Sequence, residues 1–142
     1  MKKVIIHRTR IGKDIVAEFV VPISKKHLLE GRVIVLATGA PGMPGKNELL
    51  QFFVSKGFYV IYPRYRGSWE SSGTFLAKDP TLDIKETIDA LSKPLLSLYE
   101  VKKYSFPRKP RLYIFASSFG GPAAFFLSKD VRVEKVVTFS PV

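Results

Sequence analysis

Two adjacent serines, Ser117 and Ser118, follow an apolar run, and a pair of glycines comes after the intervening Phe119. The apolar run, 112–116, has the length and composition of a buried strand, and residues 120–128 are typical of a short helix. A serine at a sharp turn between a strand and a helix is held in a strained conformation with its hydroxyl exposed. Such a hydroxyl can attack a carbonyl carbon, so this segment predicts a nucleophilic serine.

The sizes of the flanking residues favour Ser118 over Ser117 as the nucleophile. A sharp turn requires small residues two positions before and after the serine, and Ala116 and Gly120 meet this requirement around Ser118. Centring the turn on Ser117 would place phenylalanines at both positions. With Ser118 as nucleophile, the backbone amide of Phe119 lies at a helix N-terminus, where it can stabilise an oxyanion. Taken alone, the segment is also compatible with plain packing of small residues after a strand.

The rest of the sequence predicts the elements that position this serine. A β-hairpin comes first, with strands at 4–8 and 14–21. Apolar strands and amphipathic helices then alternate, which favours right-handed crossovers, a mainly parallel sheet and a three-layer α/β/α fold. Residues 22–26 are predicted to be a loop, and the basic stretch 102–111 to be a helix end and the loop after it. The remaining predicted elements are strands at 32–37, 58–62, 112–116 and 133–139, and helices at 47–56, after an Asp79–Pro80 cap, and at 120–128.

Three segments together resemble the α/β-hydrolase family. Residues 116–120, Ala-Ser-Ser-Phe-Gly, resemble its nucleophile elbow G-x-S-x-G, with Ala116 in place of the first glycine. The loop Thr-Gly-Ala-Pro-Gly at 38–42 resembles the family's H-G-x-P-G loop, with Thr38 in place of the histidine. Residues 62–73 look like the D-x-R-G-x-G-x-S loop that follows the family's fourth strand. The resemblance runs from residue 4 to residue 142 and is closest to the family's serine peptidases and esterases.

This resemblance implies a serine-dependent hydrolysis of an ester or amide bond in a small-molecule or peptide substrate. Ser118 would attack the carbonyl, and the backbone amides of Ala40 and Phe119 would hold the oxyanion. No metal and no organic cofactor are implied. The resemblance also implies that residues 1–142 form a single, incomplete α/β-hydrolase domain, truncated after the family's sixth strand.

The acid and the histidine that complete the family's catalytic triad are missing from the expected places. No histidine follows the serine in the sequence, and both His7 and His27 belong to the opening segments at the far edge of the expected sheet. Asp130 ends a predicted helix and Glu134 begins a predicted strand, so both are expected at the wrong end of the sheet. The base and the acid are therefore expected from a longer chain or from a partner chain.

The last predicted strand supports the same expectation. Residues 133–139 would form an exposed apolar edge of the sheet, which natural proteins usually cover. An oligomer, or a partner chain that covers this edge, is therefore expected.

Composition limits the other functions that this chain could have. The chain has 23 basic and 12 acidic residues, a net charge of +11, and no cysteine, so disulfides and thiolate metal sites are excluded. The charge favours an anionic partner, and the alternative function is a non-catalytic binding or scaffold module. Nucleic acid is an unfavoured partner, because the basic residues are scattered. Arg64 and Arg66 would either orient an acidic substrate or pair with loop carbonyls or a carboxylate.

Two further expectations concern nucleotides and the cellular location. Residues 40–47 are a near miss to the phosphate-binding pattern G-x-x-x-x-G-K-[ST], and Ala40, Asn47 and two prolines weaken that interpretation. No leader segment and no apolar run of roughly 20 residues is visible, so a cytoplasmic protein without a membrane span is expected. The scarcity of Asn, Gln and Met suggests a thermophilic source.

Overall fold

A six-stranded sheet forms the centre of the computed structural model, which describes residues 4–40 and 42–140. A separate pair of short strands and four α-helices complete the described part of the chain. The elements in chain order are β1 His7–Ile11, β2 Ile15–Val20, α1 Lys25–Glu30, β3 Arg32–Ala37, α2 Asn47–Ser55, β4 Tyr59–Pro63, α3 Pro80–Ala90, β5 Leu95–Ser97, β6 Lys102–Tyr104, β7 Arg111–Ser117, α4 Gly121–Leu127 and β8 Val133–Phe139.

The order of the strands in the sheet is β1-β2-β4-β3-β7-β8. Strands β4, β3, β7 and β8 are parallel, and the antiparallel hairpin β1–β2 joins the sheet along β4. This arrangement confirms the predicted mainly parallel sheet with a preceding hairpin. Because parallel strands end at a common edge, the segments that follow β3, β4 and β7 meet there.

Apolar side chains cover both faces of the sheet and attach a layer of helices to each face. Helices α3 and α4 pack on one face, and α2 packs on the other, which gives the predicted three layers. The first core includes Phe19, Val35, Ile61, Ile84, Ile114 and Leu127. The second core includes Val20, Leu36, Leu50, Val54 and Val60.

The start of α3 follows the predicted cap. The Asp79 side chain accepts a hydrogen bond of 2.8 Å from the backbone N–H of Thr81, and Pro80 occupies the first helical position. This bond lowers the pKa of the Asp79 carboxyl. The helix therefore begins where the sequence predicts, and its first turn also carries Asp83.

Two segments differ from the prediction. Residues 22–26 are only partly a loop, because the short helix α1 begins at Lys25 and ends at Glu30, before Gly31 with its left-handed φ of 61°. The basic segment is not simply a helix end and a loop, because β6 pairs with β5 in an antiparallel ribbon. The Leu98 backbone N–H donates a 2.8 Å hydrogen bond to the Arg8 carbonyl and holds this ribbon against β1. That long-range contact overrides the local pattern.

Strand β8 lies at the edge of the sheet in the part of the chain that is described. Val137 and Phe139 are 49% and 69% exposed there, so the predicted apolar edge is present. An oligomer or a covering partner chain stays a prediction. Within residues 4–40 and 42–140, no helix has the length and apolar character needed to span a membrane.

Helix α4 begins in very close contact with β3. A Cβ atom added to Gly120 would lie 1.9 Å from the carbonyl oxygen of Ala37, which is a backbone atom and cannot move aside cheaply. We therefore expect Gly120→Ala to lower the free energy of unfolding by about 3 kcal/mol or more, measured by urea denaturation.

Gly45→Ala is the matched control, because no atom of the described residues lies within 4 Å of the added Cβ. We expect it to change the free energy of unfolding by less than about 0.5 kcal/mol. Equal stability of the two variants would contradict the close contact.

Candidate active site

Ser118 has a left-handed backbone conformation, with φ of 46°. It begins a 3₁₀ turn, Ser118–Gly120, that joins β7 directly to α4. A residue other than glycine costs roughly 1–3 kcal/mol in such a conformation and persists only where its surroundings fix it. The sequence predicted a strained serine at this junction, and the backbone at Ser118 has this strain.

Two glycines, Gly120 and Gly39, allow the backbone to pack closely around Ser118. The contact between Gly120 and Ala37 brings the start of α4 against the end of β3. A Cβ added to Gly39 would lie 3.3 Å from the Ser118 Cβ and 3.7 Å from its Oγ. The first residues after β3 therefore lie directly against the serine side chain, and Ala40 follows them in the chain.

Ser117 and Ser118 have different surroundings. The Ser117 hydroxyl accepts a 3.2 Å hydrogen bond from the backbone N–H of Gly39, so it holds the loop after β3 in place. The Ser118 hydroxyl makes no side-chain hydrogen bond to any described residue and is half-buried. This difference favours Ser118 as the reactive group and gives Ser117 a supporting position.

The loop after β4 supports both of the predicted oxyanion positions. Tyr65 donates a 2.9 Å hydrogen bond from its hydroxyl to the Thr38 carbonyl, next to the segment that leads to Ala40. Burial raises the pKa of the Tyr65 hydroxyl, which keeps it protonated as a donor. The Phe119 ring packs against Tyr65, with ring centroids 5.3 Å apart, and against Phe75, at 5.7 Å. Pro41, which follows Ala40 in the loop after β3, lies outside the described residues.

Arg66 connects this loop to helix α3. Its backbone N–H donates a 2.8 Å hydrogen bond to the Asp83 carboxylate, and its guanidinium pairs with Asp83, Glu86 and Asp14. The bond to Glu86 contributes most to the raised pKa of Arg66. A hydrogen bond from Ser72, with the help of Arg66, lowers the pKa of Asp14. Arg66 is thus committed to carboxylates of the protein.

Arg64 is committed in the same way. This buried side chain lies 3.1 Å from a Glu18 carboxylate oxygen and 2.7 Å from a Glu70 carboxylate oxygen. Glu18 and Glu70 also pair with Arg8, so two cations and two anions balance one another. The sequence left two roles open for Arg64 and Arg66, which were binding an acidic substrate and pairing within the protein. In the structure both side chains pair with carboxylates of the protein.

Both histidines lie far from the strained serine. His7 is buried on β1, four strand positions from β7, which is roughly 19 Å at the usual strand spacing. Its Nδ1 lies 3.2 Å from the Ser97 Oγ, and burial lowers the pKa of the ring. His27 lies on α1, which precedes β3 and is therefore at the opposite end of that strand. These positions agree with the sequence analysis.

The two acids that follow the serine also lie at the other end of the sheet. Asp130 comes after α4 and pairs with Arg132, which lowers the pKa of Asp130 to about 2. Glu134 lies at the start of β8 and pairs with Arg111. Neither carboxylate lies at the edge of the sheet where β7 ends, and this absence agrees with the sequence prediction.

A cavity of about 300 Å³ adjoins the loop after β3. Ser118 does not line this cavity. Gly39, whose backbone abuts Ser118, does line it. Trp69, the one tryptophan of the chain, lies in a loop rich in Gly and Ser and was not among the predicted site residues. A large aromatic residue in such a loop was the signal by which the sequence could have identified Trp69 as a site residue. The cavity is lined by Thr38, Gly39, Ala40, Gly42, Tyr62, Pro63, Arg64, Tyr65, Gly67, Ser68, Trp69 and Phe75.

Solved structures of hydrolases share this arrangement of strands and helices. Acylaminoacyl peptidase from Pyrococcus horikoshii has 23% identity and a TM-score of 0.68, over 99% of this chain and 23% of that protein. An esterase from Pyrococcus furiosus has 16% identity and a TM-score of 0.68, over 98% of this chain and 48% of the esterase. An α/β-hydrolase enzyme from a Medee basin deep-sea metagenome library has 14% identity and a TM-score of 0.69, over 100% of this chain and 59% of that one.

These likenesses show that the chain has the α/β-hydrolase fold. The chain spans about half the length of the esterase and of the metagenome enzyme, and less of the peptidase. No protein-family model matches the sequence, and the search of curated proteins found no match.

The buried pair of Arg66 and Asp83 yields a prediction about stability. Asp83 is 3% exposed and accepts bonds from both the backbone and the guanidinium of Arg66. We expect Asp83→Asn to lower the free energy of unfolding by about 1.5–3 kcal/mol in urea denaturation, because the buried site loses its charge-assisted hydrogen bonds to Arg66, which keeps only Glu86 and Asp14 as partners.

Asp89→Asn, on the same helix, is the matched control. Asp89 pairs with Lys85 and Arg132 at the surface, so we expect a loss below about 1 kcal/mol. If the two variants lost the same stability, Asp83 would not anchor the loop.

Proposed function

We propose that this chain carries the nucleophile of a serine-dependent hydrolase that acts on ester or amide bonds. The observation that carries the proposal is the left-handed Ser118 at the junction of β7 and α4, against the Gly39 backbone. The fold supports it, because chemistry in such sheets occurs at the edge where the parallel strands end. The similar structures described as an esterase and a peptidase support the choice of ester or amide bonds.

In the proposed reaction, the Ser118 Oγ gives its proton to the base and attacks the carbonyl carbon of the substrate. Negative charge then develops on the carbonyl oxygen, and the backbone amides of Ala40 and Phe119 donate hydrogen bonds to it. The bond to the alcohol or amine breaks next, that group leaves with the proton, and water cleaves the acyl-serine. Preorganised donors of this kind stabilise the transition state without rearranging when the charge appears. The bond from Gly39 to Ser117 and the bond from Tyr65 to Thr38 support this role, because they fix the loop that carries one of the two donors.

The base and the acid of this reaction come from outside residues 1–142. A serine hydroxyl is a weak nucleophile until a neighbouring base accepts its proton, and His7 and His27 are both remote from Ser118. The span of about half the length of the esterase fits a site completed by further polypeptide. Such polypeptide, in the same chain or in a partner, would also cover the exposed edge of β8.

A non-catalytic binding module on the same fold is the second candidate. The observation that favours it is a groove of about 350 Å³ at the opposite end of β7, whose lining includes Arg108 and Lys109. Neither residue forms an ion pair with a described carboxylate, so both can meet an anionic partner. Salt-dependent binding of polyanions is the property expected of this candidate.

Labelling with a fluorophosphonate tests the proposed nucleophile. Because the chain lacks a nearby histidine, free imidazole at high concentration can replace the missing base. We expect imidazole to accelerate the labelling of Ser118 at least about tenfold, with mass spectrometry identifying the labelled residue.

Two variants control this experiment, and circular dichroism checks that each is folded. Ser118→Ala should abolish the accelerated labelling. Ser140→Ala should leave it unchanged, although Ser140 is also a left-handed serine at the end of a strand, with φ of 45°. A folded chain in which imidazole does not accelerate labelling at Ser118 would contradict the proposal and favour the binding module.

A further inference from the structure

Four aromatic side chains form much of the wall of the cavity beside the loop after β3. They are Tyr62, Tyr65, Trp69 and Phe75, and the backbone of Gly39 and its neighbours forms another side. The cavity measures about 300 Å³, whereas an apolar cavity of about 150 Å³ holds a benzene ring. It therefore has room for one aromatic ring and a short linker.

Two polar side chains on these walls have hydrogen-bond partners among the described residues. Tyr65 donates its hydroxyl to the Thr38 carbonyl at 2.9 Å, and the indole Nε1 of Trp69 donates to the Gly42 carbonyl at 3.0 Å. Among the described lining residues, Arg64 is the one cation, and its charge is balanced by the carboxylates of Glu18 and Glu70, although its Nε and Nη1 make no hydrogen bond. The cavity offers mainly ring faces and the charge on its wall is paired, which suits an uncharged aromatic ligand better than an anion.

Trp69 is held in a position that fold stability does not explain. Its φ of 49° is in the left-handed region, which favours glycine, and its side chain is 60% exposed. A large apolar residue gains little from burial at that exposure, while its backbone is strained. Its indole bond to Gly42 reaches from the loop after β4 to the loop after β3, so the ring is fixed at the cavity.

We propose that this cavity binds an aromatic ring of the substrate and that Trp69 is the wall on which the ring stacks. This inference rests on the proposed function for its location, because Gly39 contributes to the cavity wall and also abuts Ser118. A carbonyl held at the serine then has one substituent directed across Gly39 into the cavity. Esters and amides with an aromatic group near the reacting carbonyl are the substrate class.

Binding of a small aromatic amide tests this inference without any need for hydrolysis. The probe is N-acetylphenylalanine amide, its matched control is N-acetylalanine amide, and the protein is the full chain with Ser118→Ala. In isothermal titration calorimetry we expect saturable binding of N-acetylphenylalanine amide and no saturable binding of N-acetylalanine amide. Because the chain has a single tryptophan, the same titration should change its fluorescence.

Trp69→Gly separates a ligand-binding role from a structural one. It removes the ring and relieves the left-handed strain, so we expect at least a tenfold weaker binding of the probe with a Tm no more than a few degrees below that of the parent. The control is Leu76→Gly, because Leu76 has a φ of 62°, is 58% exposed and does not line the cavity. We expect it to bind the probe as the parent does.

The outcomes distinguish this inference from the proposed function. Saturable binding of the aromatic probe that is lost in Trp69→Gly supports the cavity even if Ser118 cannot be labelled. Equal binding of the two probes, no binding of either, or full binding by Trp69→Gly would overturn the inference, and labelling of Ser118 would be unaffected by that result.

Discussion

The close approach of the Gly120 backbone to the carbonyl of Ala37 is the contact on which the rest of this molecule depends. It brings the first residues of α4 against the end of β3, and only glycine leaves enough space for it. The chain must therefore turn between β7 and α4 within a few residues, and Ser118 takes a left-handed conformation to do so. The strain at the serine is thus a consequence of packing between neighbouring parallel strands and the helix that follows one of them.

A second group of contacts keeps the loops around the serine in place. The buried carboxylate of Asp83 binds both the backbone and the guanidinium of Arg66, which ties the loop after β4 to α3. Tyr65 and Trp69 then reach from this loop to backbone carbonyls of the loop after β3. Arg64 and Arg66, the arginines of the loop after β4, both pair with carboxylates, so the candidate site has little uncompensated charge although the chain carries +11 overall. This balance is consistent with an uncharged ester or amide as substrate.

The features that the sequence predicted well are those that depend on neighbouring residues. Strand 32–37 agrees with β3 because a continuous apolar run needs burial on both faces, and the Asp79–Pro80 cap agrees because capping involves only the next two residues. The ribbon β5–β6 could not be predicted, since it depends on a contact between Leu98 and Arg8 across the chain. The position of Trp69 was missed for the same reason. The roles of Ser118, Ala40 and Phe119 stay predictions.

The backbone conformation of Ser118, measured in a crystal structure of the chain, tests the central claim most directly. The account predicts a φ of about 46° at Ser118, together with contact between Gly120 and the Ala37 carbonyl. A Ser118 in the right-handed helical or the extended region, with Gly120 separated from Ala37, would contradict it. The serine would then be an ordinary residue at the start of a helix, and nothing in its backbone would mark it as a nucleophile.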